Sequence, residues 1–319
     1  MPRDPHHFAL WSAAQRLGVV AEDLAAAWGV DAARYGGVVV LKGRVVPGLS
    51  HHASLLADHK PAAKAILAAA GLAVPGGVAL TGDPRVDGPA VEALLARGGI
   101  VVKPVDGTHG EGIALGLPTV DAALAHAAAL GRPALVEALI SGQDLRLHAI
   151  GGRLVAACVR TPPFVVGDGT ATVRTLAARL DVEVQRPNPN NRVHLDDHTR
   201  AVLAEQGLDS DAVPAVGQVV QLGRLANMAR GAQATDVTDH LHPRWAEWVA
   251  RAGAALGVTV FAVDALTVDP AADPAAVGAA IIEVNARPEW LHHTFSAGRT
   301  HDIGALLLQH LGVDQPRGT

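Results

Sequence analysis

The chain is short of several things, and each shortage excludes a class of function. Of its 319 residues a single one is cysteine, Cys158. That excludes an intrachain disulfide and argues against a cysteine-based metal site. Aromatic residues make up only 3%, so alanine, glycine and valine must fill the core. The formal charge is −5, and no basic cluster with interleaved aromatics is present, which argues against a nucleic-acid partner. No apolar run approaches the ~18 residues that cross a bilayer. The opening MPRDPHHFALW has neither the charged and apolar regions nor the cleavage site of a secretory signal, so a cytoplasmic protein is expected. What remains is 49% hydrophobic and 18% charged, the balance of a globular chain. Its length suffices for a sizeable core in one large domain or two to three lobes. Histidines number 16, but the adjacent pairs His51-His52 and His292-His293 lack the helical i, i+4 spacing of a zinc site. They are expected as surface or supporting residues.

The stretch that organises the rest is GIVVKPVDGTHGEG, residues 99–112. Ile100 to Val102 reads as a short buried strand that ends at Lys103-Pro104. A loop of little side-chain bulk follows through Asp106, Gly107, Gly110 and Gly112. Such a loop can bring backbone N–H groups to an anion, and Lys103 could supply a point charge to the same phosphates. A glycine-rich turn after a strand is also often only a turn. The pattern is neither Walker A nor G-x-G-x-x-G.

Along the chain, Phe8–Trp28 has helical periodicity and Gly37–Val46 reads as a strand or hairpin. A helix is predicted over 60–70, with Pro61 in its first turn and Ala63, Ile66, Leu67 and Ala70 on one face. Lys60 and Lys64 sit one turn apart on it, as solvated lysines often do. Val78–Leu80 reads as a strand, 89–97 as a helix opened by Pro89, Ile113–Leu117 as a strand and 120–130 as a helix. Alternation over 144–160 about Gly151-Gly152 predicts an antiparallel pair, with Asp144, Arg146 and His148 on one face. The polar loop 185–197 is long for a connector and is expected to act as a lid or substrate loop. Helices are predicted at 242–256 and 303–311.

Strands at 257–266 and 279–286 flank a turn at Asp273-Pro274. A hairpin symmetric about that turn sets Asp264 opposite Glu283, with Asn285 on the same face. Charged oxygens among Val, Ile and Ala need a partner. Residue types leave two readings open: a hard-cation site, with Mg²⁺ the usual occupant, or structural acids paired with arginine.

The ordered segments HKPAAKAILAAAGLAVP (59–75), VVKPVDGTHGEG (101–112), LVEALISGQDLRLHAIGGRLVAA (135–157), RTPPFVVGDG (160–169), ATDVTDHLHP (234–243) and VDAL…IIEVNARP (263–288) resemble the ATP-grasp superfamily of carboxylate–amine ligases. The likeness is greatest to the ATP-grasp unit of cyanophycin synthetases and of bifunctional glutathione synthetases, and it runs from about Ser54 to Leu311. It implies an α+β (α/β) chain in which two lobes clasp ATP: a small N-terminal lobe at 1–57, a central lobe at 58–134 and a C-terminal lobe at 135–319. By position, Lys64 and Lys103 would contact the phosphates, and the loop Asp106–Gly112, including Gly107, His109 and Gly110, would close over them. Glu137, Ala138, Leu139 and Ile140 would meet adenine, Asp144 the ribose, and Arg146 the transferred phosphate. Asp264, Glu283 and Asn285 would hold two Mg²⁺, with Mn²⁺ as an alternative. The implied reaction forms an amide or peptide bond through an acyl-phosphate, on amino acids or short peptides, in a homo-oligomer of two or four chains.

The sequence also departs from that pattern. Against the relatives it reads as a stand-alone unit with a reduced N-terminal lobe. Asn227 and Gly231 match, whereas Arg224 is displaced by one residue and Arg230 replaces a small residue. Asn285-Ala286-Arg287-Pro288 is followed by Glu289 where the relatives have glycine. Arg230, Arg287 and Glu289 are therefore expected to alter substrate preference. The alternatives to a ligase of this kind are a D-alanine–D-alanine-type ligase, a catalytically idle ATP-binding protein and a zinc hydrolase using the histidines.

Overall fold

The computed structural model describes residues 4–106, 112–185 and 188–313. Helix α1 (Pro5–Leu17) opens where the Asp4 carboxylate accepts the backbone N–H groups of His6 and His7, with Pro5 in the first helical position. It stops at Gly18, which takes a left-handed conformation. The periodicity read through Phe8–Trp28 is therefore broken: β1 (Ala21–Asp23) and the single turn α2 (Ala25–Trp28) follow. With β2 (Ala32–Tyr35) and β3 (Val38–Leu41), β1 forms an antiparallel sheet in the order β1-β2-β3.

Helices α3 (His51–Asp58) and α4 (Lys60–Ala69) meet at His59, whose imidazole accepts the N–H of Ala62 and opens the second helix. The buried face of α4 carries Lys60 and Lys64 along with Ala63 and Leu67, so neither lysine is the solvated residue its spacing suggests. After β4 (Gly77–Ala79), α5 covers Pro84–Leu95 and begins five residues earlier than Pro89 implies. Asp83-Pro84 supplies the cap and first turn, and Pro89 is carried inside the helix. Next come β5 (Ile100–Pro104), β6 (Ala114–Leu115), α6 (Val120–Ala129) and β7 (Ala134–Ala138). The sheet runs β4-β7-β5-β6 with antiparallel neighbours. Val91 and Leu94 of α5 and Ala123 of α6 pack on Ile100, Val102 and Val136 beneath it.

Strands β8 (Gln143–Ile150) and β9 (Arg153–Thr161) turn through Gly151-Gly152, both at positive φ, the two-glycine solution for a tight hairpin. The alternation read for β8 holds, but both of its faces are covered from Leu145 to Ile150. Strand β10 (Phe164–Val166), α7 (Val173–Gln185), α8 (Asp197–Glu205) and β11 (Val219–Gln221) build a small core of Val165, Leu176, Leu180, Leu203 and Val220. Of the loop 185–197, residues 186–187 lie outside the described residues; Asn188 and Asn191 are buried, and the Val193 N–H donates to Asp181 at 2.8 Å. Strand β12 (Gln233–Asp236) pairs with the end of β9. Helix α9 (Arg244–Leu256) buries Trp245, Trp248, Val249, Ala252 and Leu256, the face its periodicity defines. Strands β13 (Phe261–Thr267) and β14 (Ala280–Asn285) complete the order β12-β9-β8-β13-β14, and α10 (Ile303–His310) is the last helix described.

Packing groups these segments into two compact units. One comprises Met1–Pro47, Cys158–Val237 and Glu289–Thr319; the other comprises Gly48–Ala157 and Thr238–Pro288. Among the described residues no helix is long and apolar enough to cross a membrane.

Candidate functional site

The Gly48–Ala157 and Thr238–Pro288 unit gathers a dense set of charges on strands otherwise made of valine, isoleucine and alanine. Lys103 lies near the end of β5, and Glu137 of β7 pairs with Val101, two residues before it. Residues two apart share a face, so the lysine and the carboxylate are diagonal neighbours. On the other side of β7, Gly77 pairs with Glu137, where a Cβ would come within 2.7 Å of the Glu137 Cγ. Glycine there leaves the room that the carboxylate occupies. Helix α4 brings Lys64 to the same group. Lys64 Nζ contacts Glu137 Oε1, and Lys103 Nζ lies 2.5 Å from Oε2. One buried carboxylate thus serves two buried ammonium groups. Burial pulls both lysines below their ordinary range, and for Lys64 the Lys103 ammonium adds to it, while Glu283 acts in the opposite sense on both. An anion bound beside them would favour the charged form of both lysines.

Strand β13 supplies the second half of the set. It lies between β8 and β14, and Asp264 pairs with Arg146 on one side and Glu283 on the other. The hairpin register read from the sequence is the one observed, with an irregularity just after Asp264. Arg146 Nη1 donates to Asp264 Oδ1 at 2.6 Å. The Asn285 amide bridges Asp264 and Glu283 at 3.2 and 3.0 Å. Burial, and then Asp264, push the Glu283 carboxyl above its usual value. Two adjacent carboxylates that repel in this way favour a cation between them, and a turn of the Asn285 amide would offer its oxygen as well. The donor set therefore fits a hard divalent cation. The arginine-paired alternative is also partly realised, since Arg146 holds one oxygen of Asp264. On the same strand as Arg146, burial lowers His148 to about 3 and the guanidinium assists, so that imidazole stays neutral.

Other expected residues stand at other positions of the two units. Asp144 is on β8, half-buried and paired with Leu266; Ala138 ends β7, and Leu139 and Ile140 lead away from it. Asp106 is exposed and Gly112 sits at positive φ, whereas Gly107, His109 and Gly110 lie outside the described residues. Arg287 pairs with Asp58 in the same unit. Arg224, Asn227, Arg230, Gly231 and Glu289 belong to the other unit. There Arg224 pairs with Glu205, and Asn227 caps the turn Met228–Arg230, which ends at Gly231. Arg230 Nη2 lies 2.6 Å from Asp196 and, against the cost of burial, holds that carboxyl at about 2. Glu289 forms an ion pair with His6, its Oε2 2.8 Å from the imidazole Nε2.

Sequence reasoning missed two features of this site: the Glu137 side chain as the shared counter-ion, and Lys60, which is buried and whose charge acts on Lys64, Lys103 and Glu283. The signal for Lys60 was present in its one-turn spacing from Lys64.

No family model matches the chain. Over 272 residues, 81% of its length, it is 33% identical to the cyanophycin synthetase of Geminocystis herdmanii and covers 30% of that protein. It is 29% identical over 268 residues, 80% of its length, to the glutathione biosynthesis bifunctional protein of Mannheimia succiniciproducens and covers 35% of it. The crystal structure of a bifunctional glutathione synthetase from Pasteurella multocida matches 95% of this chain and 44% of that one with a TM-score of 0.68 at 25% identity. The chain thus spans about a third of the length of the curated relatives it matches. With a fold shared across nearly its whole length and sequence similarity across four-fifths of it, the chain has the ATP-grasp fold and is similar to a part of the cyanophycin synthetases and of the bifunctional glutathione synthetases.

Proposed function

We propose that the chain is an ATP-dependent carboxylate–amine ligase that forms an amide or peptide bond on amino acid or short-peptide substrates and releases ADP and phosphate. The observation that carries this reading is the convergence of Asp264, Glu283 and Asn285 beside Arg146, within the field of Lys64 and Lys103. In it, Asp264, Glu283 and Asn285 hold Mg²⁺, two ions in the full complement. When bound, the metal would neutralise phosphate charge. Lys64 and Lys103 hold the phosphates, and the loop Asp106–Gly112 covers them. The segment Glu137–Ile140 meets adenine through its main chain, because the Glu137 carboxylate is engaged by the lysines. Asp144 holds the ribose.

The chemistry asks the protein for alignment and charge compensation rather than for a nucleophile. A substrate carboxylate oxygen attacks the γ-phosphorus, ADP leaves and an acyl-phosphate remains. An amine then attacks the acyl carbon, phosphate leaves and the amine nitrogen gives up a proton. Arg146 receives the transferred phosphate in this reading, which is supported by Asp264 fixing one of its nitrogens while its Nε is a buried donor with no hydrogen bond among the described residues. Exclusion of water by the closed loop protects the acyl-phosphate. The three-part division at 1–57, 58–134 and 135–319, a homo-oligomer and a cytoplasmic location belong to the same reading.

Phosphate release from ATP and Mg²⁺ with a panel of amino acids and short peptides, singly and in pairs, tests it. Release should need one carboxylate and one amine, and should fall at least 100-fold in Glu283→Gln. Bound ATP with no release for any pair would replace the ligase with an idle nucleotide-binding protein. Arg230, Arg287 and Glu289 tune substrate preference in this proposal. Arg230→Ala and Glu289→Gly should change the ranking of substrates, and an unchanged ranking in both removes them from that role.

A further inference from the structure

Cys158, His292 and His293 come together in the unit that does not contain the Asp264 set. Cys158 is on β9, and its cross-strand partner on β12 is Asp236. His292 and His293 lie in the single 3-10 turn Leu291–Thr294, with ring centroids 4.3 Å apart. One ligand atom of each, the thiol sulfur and a nitrogen from each ring, lies within 4.8 Å of the others, and all three side chains are buried. Donors on a tetrahedral zinc-class ion held by one sulfur and two nitrogens stand about 3.3–3.6 Å apart, given bonds of ~2.0–2.1 Å to nitrogen and ~2.3 Å to sulfur. The observed spacing is within a small side-chain adjustment of that geometry.

We propose that Cys158, His292 and His293 form a binding site for a borderline-soft transition-metal ion of the zinc class. One thiolate and two imidazoles are the donors such an ion selects, and Mg²⁺ does not. The thiol proton leaves to solvent as the ion binds. The surroundings hold the ligands in place. The His293 N–H donates to the Trp290 carbonyl at 3.1 Å, and its carbonyl accepts from the His301 N–H at 2.8 Å. The buried Trp290 indole in turn donates to Gly43 at 3.2 Å. Asp236, directly across from Cys158 on the same face, is hydrogen-bonded to His301 at 2.7 Å. That buried carboxylate lowers the cost of the positive charge left on an ion held by one thiolate and two neutral imidazoles. The ion would tie β9 to the turn Leu291–Thr294. Neither residue pattern nor chain position signals the site, because the cysteine and the histidines are far apart in sequence.

The test uses the full chain with any affinity tag removed, stripped with a chelator and titrated with Co²⁺ and with Zn²⁺ in excess Mg²⁺. The expected result is one tight equivalent of Co²⁺ with a thiolate-to-cobalt charge-transfer band, and a melting temperature raised by Zn²⁺. Cys158→Ser should lose the band and weaken Zn²⁺ binding at least about 100-fold, and His293→Gln should weaken it while keeping the band. Cys158→Ala serves if the serine variant misfolds, since Ala156 and Ala157 beside it are also buried. Cobalt binding with no charge-transfer band, binding unchanged in both Cys158 variants, or no binding at all overturns the site.

Discussion

His6 is nearly fully buried yet is held as a cation. Burial opposes its protonation, but Asp4 at 3.1 Å and Glu289 at 2.8 Å overcome that cost and raise it to about 8 from an ordinary 6.5. A group raised in the folded state contributes stability that is complete below its unfolded value. His6 therefore stabilises fully below about pH 6.5, and the contribution disappears as pH rises through about 8, a loss on the order of 2 kcal/mol. Urea denaturation across that window should show the decline in the wild type and a flatter profile in His6→Gln; equal profiles would remove His6 as its source. At this scale the sequence is legible where a residue's partner is local and opaque where it is not. The Asp4 cap of α1 accepts the N–H groups of His6 and His7, two and three residues on. The counter-ion shared by Lys64 and Lys103 is not, because Glu137 reaches them only through the pairing of β7 with β5 and the packing of α4. Arg146 and Asp264, 118 positions apart, meet only because β8 and β13 are neighbours. Cys158, judged too solitary to hold a metal, gains its companions from another segment of the fold in the same way.

Elements were read best where punctuation and period agree. The β13–β14 register followed from a hairpin centred on Asp273-Pro274, which pairs Ala262 with Asn285, Val263 with Val284 and Asp264 with Glu283; it shifts only after Asp264. Helix α5 was misread because Pro89 looks like a first-turn proline, whereas the Asp83-Pro84 cap lies upstream. The reading over Phe8–Trp28 ran through Gly18, a stop that a longer apolar pattern masked. Helices α7 and α8 are not predicted from the sequence, and the proline- and asparagine-rich run lies between them. Close packing between elements leaves its own mark at Gly253. A Cβ there would stand 2.6 Å from Phe261 Cε1 and 3.0 Å from the Val258 carbonyl oxygen. Phe261 is fully buried and opens β13, three residues before Asp264. Gly253→Ala should therefore push α9 off the strand and cost about 1–3 kcal/mol. A urea midpoint equal to that of the wild type would show that the helix can shift without penalty.

At the scale of the whole chain, two kinds of donor chemistry are held in two packing units. Oxygen donors and lysines occupy Gly48–Ala157 with Thr238–Pro288, and a thiol with two imidazoles occupies the other. ATP-grasp likeness is carried by segments that run through both, which is why the resemblance could be recognised from ordered motifs although no single motif is distinctive. Substrate identity was not legible: Arg230 and Glu289, expected to set preference, each engage an ion pair with a residue distant in sequence, which spacing does not announce. The separation of the two chemistries gives a prediction that only the whole molecule can answer. A ligand that binds the folded state at about 100 times its Kd adds roughly 2.7 kcal/mol, which appears as slower exchange of amides released by the opening it suppresses. Hydrogen exchange with Mg²⁺ and ATP should therefore slow most in β5, β7, β8, β13 and β14. Removing a zinc-class ion by chelation should speed exchange chiefly in β12, the end of β9 and the turn Leu291–Thr294. If both treatments changed the same amides to the same degree, the two chemistries would be coupled through one cooperative unit rather than held in separate ones.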